Sequence, residues 1–291
     1  MRILVANDGF SDAGGVQSYL DATIGCLTAR GHTVAVAYCT DTGSPAINQT
    51  LRRLEQFRVA GSRQPQAFDA IRRWRPDVCF SHNMHDLGVD AGLASVAPVV
   101  KFMHGYFGTC VGGLKMHAFP APVACDRAFG PSCAVLYLPR RCGQLNPAAL
   151  VSQWQWAVSQ RAMFDRYADI VVASEHMRRE YTNNGLPAER VHANPLFATR
   201  AVAPGRKPVP PVAPVVNNAH VVFLGRMTKL KGGDLLVRAV ADASSRLGRP
   251  VHLTMIGDGP QRAGWEALAR ALGVQAHFTG WLDGESRWPF V

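Results

Sequence analysis

The chain has 291 residues, of which 47% are hydrophobic and 18% charged, and a formal net charge of +10. That balance is typical of a soluble, well-buried globular protein of about two domains and excludes a disordered or fibrous chain. No apolar run approaches the roughly 18–20 residues that span a bilayer. The absence of zinc-finger spacing or a Lys/Arg-rich tail argues against nucleic acid as the anionic partner that the charge suits.

The opening MRILVANDGF reads as a strand over Ile3–Ala6 rather than a signal peptide, which implies a cytoplasmic protein. A polar, Gly-containing loop from Asn7 to Gly15 precedes helical spacing at Val16, Leu20, Ile24 and Leu27, and Gly31 follows as a stop signal. Thr33–Tyr38 is the next strand, and the spacing in Leu51–Arg58 and Ala67–Arg73 predicts two helical segments. Val78–Ser81, Val99–Met103 and Ile170–Ala173 read as short buried strands. Such strands alternating with helices predict a parallel sheet covered on both faces.

Residues 198–217 are Pro-rich and have no period, so they read as a stiff linker between a first domain, 1–197, and a second, 218–291. Alternation resumes with a strand at His220–Leu224, a helix at Gly233–Ser245, a strand at Val251–Ile256, a helix at Gln261–Leu272 and a short strand near Gln275–Phe278.

The segment from Phe223 to Gly233 carries the most chemistry. Ligands of parallel sheets bind at the carboxyl ends of strands, which is where Arg226 and Lys231 fall. A forked guanidinium and a point charge together can neutralise a diphosphate. Gly232 and Gly233 let the backbone approach, and a helix N-terminus favours an anion; the plainer alternative is a basic surface turn. Gly14 and Gly15 open the first helix in the same manner, with backbone amides suited to an anion. Gly-x-Gly-x-x-Gly is absent, which disfavours a nicotinamide-dependent oxidoreductase.

Gly225-Arg226-x4-Lys231-Gly232-Gly233 after an apolar strand resembles the diphosphate motif of family 4 glycosyltransferases. Gly257-Asp258-Gly259-Pro260 resembles the family's Gly-x-Gly-Pro turn, and His277–Leu282 its approach to the nucleotide base. The resemblance implies a GT-B fold: two Rossmann-like domains with parallel sheets facing across a cleft, the second incomplete. It implies a retaining transferase that moves a sugar from a nucleoside diphosphate sugar to an acceptor hydroxyl in cell-surface glycan biosynthesis. His104-Gly105 resembles the family's turn whose His faces the donor sugar, so His104 is the implied catalytic contact. Gly14, Gly15, Arg226, Lys231 and Gly232 are the implied donor-binding residues. His82 and His85 are candidates for the acceptor cleft, the rival being a metal pair with Asp86. No Asp-x-Asp occurs, so positive side chains would replace a divalent cation on the diphosphate and no cofactor is implied. A glycan or lipid-linked acceptor would bring the enzyme to the inner face of the membrane.

Of seven cysteines, Cys26, Cys39 and Cys79 sit in apolar segments and read as buried thiols. Cys110, Cys125, Cys133 and Cys142 cluster in sequence within a stretch resembling an insertion in part of the family. Their spacings are wider than the close pairs zinc prefers, and a reducing cytoplasm disfavours disulfides, so free thiols lead and a zinc cluster is the alternative. The second domain, 218–291, is shorter than the roughly 100–150 residues expected of its kind. It lacks the segment that carries paired glutamates in the family. Weak or absent turnover by this chain alone is therefore expected, and a catalytically inactive remnant that binds nucleotide or glycan is the alternative function.

Overall fold

A computed structural model of the chain describes residues 1–10, 15–41, 53–61, 64–196, 219–282, 286 and 290. Gly14 and the expected linker, 198–217, lie outside them. The chain divides into two compact units, Met1–Gly205 and Arg206–Val291.

The first unit is built on β1 (Arg2–Phe10), whose Ile3, Leu4, Val5 and Ala6 are all buried. A strand with both faces covered needs an unbroken apolar run, and this one separates two cores by its pleat. Leu4 and Ala6 join Phe68, Ile71, Val89 and Ile170 on one face, while Ile3 and Val5 join Leu20, Ile24 and Val34 on the other. Leu20 and Ile24 belong to α1 (Gly15–Ala29), and Phe68 and Ile71 to α2 (Gln64–Trp74). The strand runs past the expected end at Ala6, because Asn7, Gly9 and Phe10 still pair with β2 (Thr33–Asp41).

Residues Glu55–Arg58 were expected to be helical but form the edge strand β3, paired with Ala35–Tyr38 of β2. Only Phe57 in it is buried. One inward side chain on a sheet edge is enough to override a short helical spacing. The remaining strands of this sheet are β4 (Val78–Ser81), β5 (Val99–Met103), β8 (Asp169–Val172) and β9 (Val191–Ala193). All are parallel, in the order β3-β2-β1-β4-β5-β8-β9. The order reverses between β1 and β4, so the carboxyl ends of β1, β4 and β5 border the crevice where such sheets hold ligands.

Helix α3 (Leu87–Ala94) follows β4, and Asp86 is its N-cap, accepting a 2.8 Å bond from the Gly88 amide. Between β5 and β8 lie a small antiparallel pair, β6 (Met116–His117) with β7 (Val123–Ala124), and the helices α4 (Pro131–Tyr137) and α5 (Pro147–Ala162). Helix α6 (Glu175–Asn183) follows β8 and is capped by Ser174, whose hydroxyl accepts from the Met177 amide.

The second unit is a parallel three-stranded sheet, β10 (His220–Leu224), β11 (His252–Ile256) and β12 (Ala276–Gly280), in that order. Helices α7 (Gly233–Leu247) and α8 (Arg262–Ala271) connect them. Val237, Val240, Leu253, Met255 and Trp265 form their shared core. A Cβ on Gly233 would stand 2.3 Å from the Trp265 ring, so the start of α7 must be glycine for Trp265 to seat against it.

Candidate active site

In the first unit the chemistry gathers at the ends of β4 and β5. His82 follows β4, held there by its amide bond to the Ala6 carbonyl (2.8 Å), and His104 follows β5. Their rings meet, with His82 Nδ1 3.0 Å from His104 Nε2. His82 is wholly buried, packed on Phe80 at 4.3 Å and stacked with Phe102 at 5.7 Å between centroids. His104 is partly buried. Burial, then the neighbouring His104 and Lys101, hold His82 well below the ordinary imidazole range. Burial and Lys101 push His104 down to about 4. Both rings are therefore neutral at physiological pH.

Beneath the histidines lies a buried ionic network. Lys101 Nζ is 2.7 Å from Asp90 Oδ2 and 3.1 Å from Ser81 Oγ, and Ser81 donates to Asp90 Oδ1 at 2.6 Å. Tyr167 donates to Asp90 Oδ2 at 2.8 Å, and Gln160 Nε2 donates to the Tyr167 hydroxyl at 3.1 Å. Asp90 and Ser81 are fully buried, and Lys101 is 3% exposed. Burial lowers the Lys101 pKa, and the Asp90 carboxylate opposes that shift. Two opposite charges can stay ionised in a core when each satisfies the other and the remaining valences are hydrogen-bonded. The sequence carries a signal for this pair that no motif contains: Lys101 interrupts VVKFM and Asp90 interrupts LGVDAGLA, both otherwise apolar.

A cavity of about 90 Å³ adjoins both groups, lined by His82, His85, Lys101, Phe107, Trp156 and Gln160 among others. His85 is exposed, and its carbonyl accepts from Trp156 Nε1 at 3.1 Å. Tyr181 fixes the turn after His104 by hydrogen bonding the carbonyls of Gly105 (2.8 Å) and Phe107 (3.0 Å). Gly15 begins α1, and a side chain there would meet nothing within 4 Å.

In the second unit Arg226 and Lys231 lie in the turn between β10 and α7, both exposed. The ion pairs of this unit among the described residues use Arg246 and Arg262, so Arg226 and Lys231 have no carboxylate partner there. Gly232 caps α7 in the left-handed region at φ 66°. The turn is clamped to its neighbour backbone against backbone. Gly225 donates to Ile256 O (3.0 Å), Met227 to Asp258 O (2.8 Å) and Gly257 to Gly280 O (2.8 Å). Gly257 has φ 129°, and a Cβ there would stand 2.1 Å from the Gly225 carbonyl oxygen. The glycines of two sequence motifs thus serve one structural purpose, drawing the carboxyl ends of the strands together under the start of α7. A larger cavity, about 680 Å³, opens at the amino ends of the same strands beside His220, His252 and His277. A doubly wound sheet binds ligand at its other end, and the free cations are there.

The widely spaced Cys110, Cys125, Cys133 and Cys142 converge on one cavity of about 20 Å³, together with His117. His117 Nδ1 is 3.4 Å from Cys142 Sγ. Burial first, then the other three thiols, push the Cys142 thiol up to about 11. Among the described residues no group of three or more His, Cys, Asp or Glu side chains is placed to hold a metal ion, and all seven cysteines are free. Thiol counting under denaturing, non-reducing conditions is expected to approach seven per chain. One zinc per chain by elemental analysis, lost on replacing Cys125 and Cys133, would show instead that the cluster closes on an ion. No helix of the described residues is long and apolar enough to cross a membrane.

The sequence matches the family model "Glycosyltransferase Family 4" over residues 13–197 and "Glycosyl transferases group 1" over 218–288. No curated protein is similar enough to be matched. The structure is similar to the lipopolysaccharide outer core galactosyltransferase WaaB, with TM-score 0.55 and 11% identity, over 99% of this chain and 70% of that one. It is similar to HepE of Anabaena in complex with UDP, with TM-score 0.56 and 14% identity, over 97% and 70%. It is also similar to WaaG, a glycosyltransferase involved in lipopolysaccharide biosynthesis, with TM-score 0.53 and 17% identity, over 97% and 70%. At such identities the likeness establishes the fold, GT-B.

Proposed function

The chain belongs to glycosyltransferase family 4, and from that membership we propose that it transfers a sugar from a nucleoside diphosphate sugar to an acceptor hydroxyl with retention at the anomeric carbon. The observation that carries the donor assignment is the pair of exposed cations, Arg226 and Lys231, without carboxylate partners among the described residues, at the start of α7. Breaking the bond between the sugar and its diphosphate leaves additional negative charge on the leaving oxygen. A forked guanidinium, an ammonium and the amino end of a helix stabilise that charge more in the transition state than before it. No divalent cation is required in this arrangement.

Gly232 lets the backbone approach the diphosphate, and Gly15, the first residue of α1, offers its backbone amide to the donor's distal phosphate. His104 contacts the sugar, and the His85 end of the cavity receives the acceptor. UDP is the first nucleotide to try, since HepE has been solved with UDP and UDP-glucose. Lipopolysaccharide transferases among the similar structures favour a cell-surface glycan or lipid-linked acceptor, built at the cytoplasmic face of a membrane.

Lys231→Ala is expected to weaken UDP binding by about 1–3 kcal/mol, the range for charge-assisted hydrogen bonds. An exposed lysine packs no core, so the circular dichroism spectrum and melting of the protein should stay unchanged. Equal affinities of the folded variant and the parent in calorimetry, for UDP and for GDP, would remove Lys231 from the donor site.

A further inference from the structure

His82 is wholly buried, and one of its ring nitrogens has nothing to bond among the described residues. Its Nε2 is sealed from solvent and has no hydrogen-bond partner among the described residues. Its other nitrogen, Nδ1, faces His104 Nε2 at 3.0 Å. Two neutral rings in this contact share a single proton. If His104 supplied it, His82 would have to carry its own proton on Nε2, as a buried N–H with no acceptor in a cage of Tyr19, Phe80 and Phe102. Orphaned buried N–H groups are rarer than unpaired acceptors.

We infer that His82 is a positioning residue that donates its Nδ1–H to His104 Nε2 and thereby locks His104 as the Nδ1–H tautomer. His104 bonds His82 through Nε2, and its Nδ1 makes no hydrogen bond among the described residues. The group His104 offers a ligand is then a donor, and it recognises an acceptor atom such as a sugar hydroxyl oxygen. That last step rests on the reading of His104 as the donor-sugar contact; the tautomer itself does not. The aromatic rings around His82 exclude water that would otherwise satisfy either nitrogen and leave the tautomer unspecified.

The test is a long-range ¹H–¹⁵N correlation spectrum of the full chain labelled with ¹⁵N-histidine at neutral pH. His104 is expected to show the Nδ1–H pattern, opposite to the Nε2–H form that dominates in free neutral imidazole. In His82→Asn the side-chain amide stands near the lost Nδ1–H, and the pattern should persist. In His82→Phe it should move to Nε2–H. A His104 protonated on Nε2 in the unmodified protein overturns the inference, and that spectrum decides even if both variants fail to fold. If instead the Nδ1–H form is found and His104→Phe leaves UDP-glucose affinity unchanged, the pairing stands and the donor-site reading of His104 falls.

Discussion

Asp90→Ala is expected to destabilise the first unit by about 3–5 kcal/mol in urea unfolding, the cost of leaving one member of a buried ion pair alone. Asp90 is 0% and Lys101 3% exposed, so the stranded ammonium would be left in the core without a counter-charge. The loss also removes the acceptor of Ser81 and of Tyr167, both within 2.8 Å. Replacing both charges, as Asp90→Leu with Lys101→Met, should recover most of the stability, since the desolvation penalty disappears with the pair. A single variant within about 1 kcal/mol of the parent would mean that water reaches Lys101. A double variant as unstable as the single one would assign the stability to the Tyr167 and Ser81 hydrogen bonds rather than to the charges.

Lowering the pH should destabilise the same unit through His104. Its pKa is ordinarily 6.5 and is pushed down to about 4 in the fold, chiefly by burial and then by Lys101. Between those values the unfolded chain binds a proton that the folded ring refuses. Stability is therefore present above pH 6.5 and is lost as the pH falls towards 4. A shift of this size corresponds to about 3 kcal/mol by pH 4. His82 shifts in the same direction from burial, His104 and Lys101. Urea unfolding at pH 7 and pH 4 should show that the parent loses about 3 kcal/mol more than His104→Gln, since the carboxylates common to both proteins cancel. Parallel losses would mean that His104 titrates in the fold as it does in water. The same shift implies that transfer should show no inflection near pH 6.5 from His104, because that ring is already neutral there.

The sheet architecture was largely legible in the sequence. Val78–Ser81, Val99–Met103 and His220–Leu224 form strands with the bounds that their short, largely apolar runs suggest. Gly31 and Gly232 likewise marked helix boundaries, each by its left-handed backbone. Edge and insertion segments were less legible. Glu55–Arg58 has one inward residue, and its strand exists only because β2 offers an edge. The capped helices α3 and α5 follow Asp86 and Asn146, side chains that read as loop residues until their bonds to the following amides are seen.

The sequence by itself determined the fold class, the family and the types of residue available for chemistry, because these depend on local periodicity and on short contiguous motifs. Only the tertiary structure decided which of those residues meet. Nothing in the spacing of His82 and His104 tells that their rings share a proton, and nothing in two isolated charges tells that Lys101 and Asp90 neutralise each other in the core. The four cysteines stand out as a group along the chain, but only the turns between β5 and α5 show that they line one cavity together with His117. Gly225 and Gly257 belong to separate motifs, and only the pairing of β10 with β11 shows that each is required by the other's backbone. The reason is the same in each case. Parallel strands adjacent in a sheet are separated in sequence by a helix, so contacts at their carboxyl ends are set by strand order, which local periodicity does not encode.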